Sequence, residues 1–590
     1  MMNKKITFLL MGCLMSGVVA SRVLTPNQNQ QSGQIPSGYA ELEFKLGDGN
    51  WTKQIYLPNN PKNNDKIRIS STAGYAAYLD TSNIDIPLES IQINRGNTFD
   101  FIYSESLKKW RINSTPSAIV DNSSVQNIVS NQQIIQRVHL RDGAWAKKIV
   151  LPSDVANNTV MLIESDAGRD SSIDTTNLLF SSNFNLKKGD RYWFVFNQRL
   201  KKWVPEYIKP RQLNVSSVGT QLNKTDSPLT EIIFGDGNWV SQFTLPSSAY
   251  DRDRVIVKST ATWEATISNQ NINTSATLKL NRGDRYEFMF VKELAKWILV
   301  SAPERVIQAK DLNNQKVPDP KQPVTRVKLA NGNWQSVINL TDRAQINDKI
   351  IISSGATWSS TIQASNNLRQ TIQTGETQRF VYTSQGWQAD SSTIDMLLVS
   401  SPAVAEKLGA NAAKIRLIEG FDLTNVSAEN SNAKFYLRNV GYLQYKTPGS
   451  KTLNNVLDIG RVDKVIQNER NRLKADAIYY EGDEEGCGLA YLLVNPNSNY
   501  MIGSGSINCG ITVLRHEFGH NMGVDHHDTA GPARGLEHPL GSTIMGGNSI
   551  SYFSSPDLFH PKYGYQLGGT NDRDAVTMIN KNAKAVSLFK

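Results

Sequence analysis

Cysteine is nearly missing from this chain: three in 590 residues, with none between Cys13 and Cys487. That rules out a framework of many disulfides and leaves room for one. Long apolar runs are missing too. Beyond the N-terminus no stretch reaches the length needed to cross a bilayer, so no stable membrane span is expected. Basic residues do not cluster with aromatics, which argues against a nucleic-acid partner. Histidine is scarce, seven in all, yet four of them fall between His516 and His527. What remains is ordinary globular material, 39% hydrophobic and 20% charged, in a chain long enough for three to five domains.

The N-terminus reads as a targeting signal. Met1 to Lys5 are basic, Ile6 to Ala20 apolar, and Val18-Val19-Ala20 offers a small-residue cleavage site. Leu10-Met11-Gly12-Cys13 competes as a lipoprotein box, but the apolar run continues well past Cys13. Export follows on either reading. After cleavage Cys487 and Cys509 remain, and an exported chain should pair them, closing a loop of about 22 residues worth on the order of 3 kcal/mol.

Charge is uneven. From Ser391 onward there are 19 Lys+Arg against 20 Asp+Glu, whereas the preceding residues carry 44 against 34. The basic part also contains a repeat. Trp51, Trp145, Trp239 and Trp334 recur at 94 to 95 residues, each after a turn such as Gly235-Asp236-Gly237-Asn238. Three copies continue with Leu-Pro (Leu57-Pro58, Leu151-Pro152, Leu245-Pro246), and all end on a second tryptophan, Trp110, Trp203, Trp297 or Trp387. So long a period means tandem domains rather than a solenoid. Short alternating runs between Gly/Asn/Asp turns predict small all-β sandwiches or barrels at 39–113, 134–208, 229–302 and 324–390. Polar stretches before and between them (Ser21 to Gly38, Thr115 to Gln133, Arg211 to Ser227, Leu312 to Pro323) read as linkers. The repeated tryptophans suit either core anchors, the favoured reading, or platforms for sugar rings flanked by Asn, Asp and Lys. Arg282-Gly283-Asp284 aligns with Asn94-Arg95-Gly96-Asn97 and is the turn before a strand, not an adhesion motif.

From residue 391 to 590 the texture becomes mixed α/β. Strands are expected at Ile394 to Val399, Phe435 to Tyr445, Ala475 to Glu481 and near Tyr500 to Gly503. Helices are expected at Pro402 to Glu419, with Val404, Leu408, Ile415 and Ile418 on one face, and at Leu453 to Leu473. A further helix carries His516-Glu517-Phe518-Gly519-His520-Asn521-Met522-Gly523-Val524-Asp525-His526. Residues i and i+4 share a helical face, so His516 and His520 can hold one ion. Gly523 suits the left-handed end of the helix, and the returning chain supplies His526. Three histidines and an open position make a catalytic rather than a structural Zn2+ site. Glu517 stands beside it as general base.

This pattern, with Ser542-Thr543-Ile544-Met545 before Gly546-Gly547, resembles the metzincin zinc proteases and their Met-turn. The resemblance implies His516, His520 and His526 as ligands, Glu517 as base, Met545 beneath the metal, and a twisted sheet with an edge strand over the cleft. Asn521 and an aspartate after the third histidine look adamalysin-like, although His527 intervenes before Asp528. His527 is a lesser candidate for third ligand. Gly547 stands where astacins and serralysins place a metal-linked tyrosine, and Tyr552 receives no role. The layout as a whole resembles type II-secreted, glycan-dependent metalloproteases. That implies cleavage of O-glycosylated host proteins, repeats that recognise glycans, passage through the type II machinery, and a dedicated chaperone or inhibitor protein. The last fits a chain with no pro-segment cysteine to occupy the metal. A glycan-binding adhesin with an inert protease domain and a glycan-independent protease are the competing functions.

Overall fold

The computed structural model describes residues 22–86, 88–113, 125–130, 134–569 and 571–590. The expected signal at 1–20, with its Cys13 alternative, lies outside them. The chain divides into two compact units, one with repeats 1 and 2, the other with repeats 3 and 4 and the C-terminal domain. Among the described residues no helix is long and apolar enough to cross a membrane.

Each repeat is a sandwich of two sheets, which decides between the two all-β forms. In repeat 3 the larger sheet runs Arg211–Asn214, Leu229–Phe234, Arg254–Ser259, Arg285–Val291, Lys296–Ser301, and the smaller Gln242–Phe243, Ala265–Ile267, Lys279–Leu280. The first three strands of the larger sheet are parallel and the rest antiparallel. Alternate residues turn inward, placing Phe234, Val255, Val257, Tyr286, Phe288 and Trp297 in one core.

Trp110, Trp203, Trp297 and Trp387 are the buried anchors of the four copies. A buried indole N–H needs an acceptor. In copies 1 to 3 it donates to the proline carbonyl of the Leu-Pro pair: Trp110 to Pro58 at 3.4 Å, Trp203 to Pro152 at 2.7 Å, Trp297 to Pro246 at 2.8 Å. In copy 4, which lacks Leu-Pro, Trp387 donates to Thr341 O at 2.6 Å. The acceptor is main chain, so the residue can change while the bond persists. The core reading therefore holds for the second tryptophan of each copy. It holds only in part for Trp51, Trp145, Trp239 and Trp334, which pack against the core of their repeat but are only half-buried.

The linker reading is corrected as well. Arg22–Leu24 and Arg211–Asn214, inside the stretches Ser21 to Gly38 and Arg211 to Ser227, pair in parallel with the first inner strand of the following repeat. Edge strands face water along one side, so their polar composition concealed them.

In the C-terminal domain the sheet order is Phe435–Gln444, Ser392–Ser400, Ala477–Gly482, Ile502–Ser506, Gly488–Ala490. All neighbours are parallel except the last, antiparallel strand. The first expected helix breaks at Gly409, φ +87°, into Pro402–Leu408 and Ala410–Asn430. That break resets the helical phase: Ala413, Leu417 and Phe421 are buried, while Leu408 and Ile415 of the expected face are exposed. The second is also two helices, Leu453–Gly460 and Lys464–Leu473. Asp463 starts the latter by accepting bonds from Val465 N and Ile466 N.

Candidate metal centre

The helix Val513–Asn521 packs against the sheet beside Ile502–Ser506 and ends where glycine permits. Gly523 has φ +88°, and its N–H bonds His520 O at 2.9 Å. The reversed chain brings His526 back over the helix. Its Nε2 lies 3.1 Å from Nε2 of His516 and 3.1 Å from Nε2 of His520. These are the three histidines whose nitrogens cluster tightly enough to share an ion.

The bonds at the far side of two rings fix which nitrogen faces inward. His516 Nδ1–H donates to Ile544 O at 2.8 Å, and His520 Nδ1–H to Val524 O at 2.8 Å. Both Nε2 atoms then present lone pairs to the centre. Lone pairs 3.1 Å apart repel unless a cation lies among them. A tetrahedral zinc with nitrogens at about 2.0–2.1 Å puts those nitrogens about 3.3–3.4 Å apart, so the residues fit that ion. Burial lowers the pKa of His516, and burial with the neighbouring imidazoles holds His520 at about 4. Both rings are thus neutral, the ligating form.

Glu517 is buried, and burial alone pushes its carboxyl from an ordinary 4.5 up to about 8. A cation at the histidines opposes that shift. Two glycines make room for the side chain. A Cβ on Gly488 would lie 2.3 Å from Glu517 Oε1, and one on Gly503 3.3 Å from its Cβ. The edge strand Gly488–Ala490 therefore covers this carboxyl, and the disulfide Cys487–Cys509 ties it to the loop entering the helix. Replacing both cysteines by serine should cost about 2–4 kcal/mol in reversible unfolding, and activity should fall as the strand loosens over Glu517. Unchanged activity in the double variant would show the strand to be held without it.

Met545 is buried against the helix, its sulfur 2.4 Å from where a Gly519 Cβ would stand. His527 turns away to pair with Glu537 at 3.0 Å, leaving the third position to His526. Tyr552 touches the Met-turn through its main chain, its carbonyl accepting from Ile544 N at 2.9 Å. Glycines 488, 503, 519, 535 and 546, which let the elements touch, were not expected; the runs Ile502-Gly503-Ser504-Gly505 and Gly546-Gly547 beside the motif were their signal.

Residues 40–114, 133–207, 227–301 and 322–391 match the family described as the β-sandwich domain of metalloprotease StcE. Residues 390–554 match metallopeptidase family M12. A solved structure described as a chaperone–substrate complex is 50% identical, covering 97% of this chain and 100% of that one, with a TM-score of 0.92. A crystal structure of a segment of enterohemorrhagic E. coli StcE is 22% identical over 15% of this chain and 69% of that one, with a TM-score of 0.11. No curated protein matches.

Proposed function

Because the chain belongs to the M12 metallopeptidases that carry StcE-type β-sandwich repeats, and is consistent with a CpaA-like protein, we propose that it is a secreted zinc endopeptidase that cleaves O-glycosylated proteins. The observation that carries the catalytic part is the convergence of three Nε2 atoms beside a buried Glu517. Zinc, when bound, supplies Lewis acidity toward water and the scissile carbonyl. His516, His520 and His526 hold it, the first two oriented by main-chain carbonyls. Glu517 takes the proton of the attacking water as oxygen adds to the carbonyl carbon, then returns it to the leaving amine as the C–N bond breaks. The edge strand Gly488–Ala490 bounds the cleft on the side of this carboxyl.

Glycoprotein selectivity is supported by the four StcE-type repeats and by the excess of basic residues in the part of the chain that carries them, which suits acidic glycans. Export, passage through the type II machinery and a dedicated chaperone extend the reading. The 50%-identical relative, known as part of a chaperone–substrate complex, supports the last of these. An O-glycoprotein assayed before and after deglycosylation, with and without a chelator, tests the whole. Cleavage should vanish with chelator, return with zinc, and fall at least about 10-fold on deglycosylation. Chelator-insensitive cleavage overturns the metal reading; cleavage indifferent to deglycosylation overturns the glycan reading. For the chaperone, full folding and secretion of the chain expressed alone is the result that counts against it.

A further inference from the structure

The half-buried first tryptophan of each repeat has a partner 24 residues on. Trp51 meets Tyr75 with ring centroids 6.0 Å apart, Trp239 meets Trp263 at 6.3 Å, and Trp334 meets Trp358 at 5.9 Å. The planes are inclined at 53°, 58° and 57°, so each pair forms an open corner rather than a closed stack. The second ring is exposed in every case: Tyr75 by 73%, Trp263 by 57%, Trp358 by 59%. In repeat 2 the same position is Arg169, whose guanidinium lies over Trp145 at 5.6 Å.

The repeat motif builds these corners. Its turn residue accepts from the backbone N–H just before the second ring: Asp48 from Gly74 at 2.7 Å, Asp142 from Gly168 at 2.9 Å, Asp236 from Thr262 at 2.7 Å, Asn331 from Thr357 at 2.9 Å. In repeats 2 to 4 the first indole N–H is used as well, donating to the carbonyl of residue 169, 263 or 358 at 3.0–3.1 Å. One oxygen of each Asp or Asn that the sugar-platform reading would assign to hydroxyls is thus taken up by the protein's own backbone. What the corners offer is the faces of the rings.

Large exposed aromatics are costly to keep in water, and an aromatic corner kept in three copies on the same turn bond needs an occupant. Two rings present on the order of 200–300 Å². That falls far short of the ~800 Å² per partner of a stable protein interface, but it matches the apolar face of one pyranose. We propose that Trp51/Tyr75, Trp239/Trp263 and Trp334/Trp358 are three equivalent sugar-ring subsites, and that repeat 2, its ring covered by Arg169, is not one. This rests on the glycoprotein reading above and locates its recognition. Each corner is a weak site, and three on one chain bind a densely glycosylated substrate through avidity.

The test uses the full-length protein. Y75A/W263A/W358A should raise KM for an O-glycosylated mucin at least about 10-fold with kcat within about 2-fold, and leave cleavage of a deglycosylated control unchanged. Phenylalanine at the three positions should restore most of the loss, and W145A should have no effect on KM. Thermal unfolding of the triple variant should match wild type, since the altered rings are exposed. Wild type dependent on the glycan with the triple variant unaffected overturns this inference and leaves the glycan reading standing. Wild type indifferent to the glycan removes that reading and this one with it. Normal mucin binding with loss of a chaperone partner would assign the corners to protein contact and overturn the proposal.

Discussion

Glu517→Gln should retain one zinc per chain and lose at least about three orders of magnitude in kcat, near the upper range for removing a general acid–base. The exchange keeps the side chain's shape, so the close passage of Gly488 over it is undisturbed. It also leaves the three histidines and the carbonyls that orient them intact. A second consequence separates the base from a structural role. In the metal-free protein Glu517 has a folded pKa of about 8, above its ordinary 4.5, because burial disfavours the anion. Such a raised carboxyl binds a proton more tightly folded than unfolded, so its contribution is favourable at low pH and is lost as pH rises from 4.5 through 8. An amide carries no such cost. The metal-free variant should therefore unfold no earlier than metal-free wild type at pH 7, with the difference shrinking toward pH 4. Turnover near the wild-type rate would remove Glu517 from the chemistry. Loss of zinc at unchanged fold would make it a structural support instead.

What the sequence disclosed, and what it hid, follows the range of the interactions involved. The histidine motif is local: one helical turn, one left-handed glycine, one short return. Each step depends on residues at most ten apart, and the structure places His516, His520 and His526 together as that reading requires. The repeats were legible because their period is long and regular, and the disulfide because Cys487 and Cys509 stand close in sequence and far from Cys13. Helix boundaries were less so, since apolar spacing ran on through Gly409 and Asp463 while the backbone did not. The two tryptophans of a repeat look alike in sequence. One is buried because a proline or threonine carbonyl 46 to 52 residues away takes its N–H. The other, half-buried, meets a side chain 24 residues on that is Tyr, Arg or Trp depending on the repeat. Position 75 and its equivalents therefore carried no repeat signal. The glycines of the metal centre were hidden for a related reason: nothing in a glycine says which distant backbone will approach it.

Gly535 is the sharpest such case, and its replacement should be the most damaging to the fold of the site. A Cβ there would stand 2.1 Å from the Met545 carbonyl carbon and 2.2 Å from Gly546 N; reciprocally, one on Gly546 would lie 2.0 Å from Leu536 O. These are main-chain atoms, with no side chain able to swing aside, and Gly535 itself is not among the left-handed glycines. The effect of a larger residue is thus purely steric. Gly535→Val must push the Met-turn away from its seat. That turn supplies Ile544 O, which orients His516, and Met545, whose sulfur fills the hollow left by Gly519. Overpacking of this kind costs about 1–3 kcal/mol, occasionally more, or roughly 2–12 °C in the melting of a domain of this size. Losing the orientation of one ligand lowers metal affinity about 10- to 100-fold. Zinc affinity by competition with a chelator, together with thermal unfolding, reads both. A variant that melts earlier yet binds zinc as tightly as wild type would mean that the Met-turn supports the fold without positioning His516. A joint fall in affinity and stability, with the repeats' own unfolding unchanged, is the outcome the packing requires.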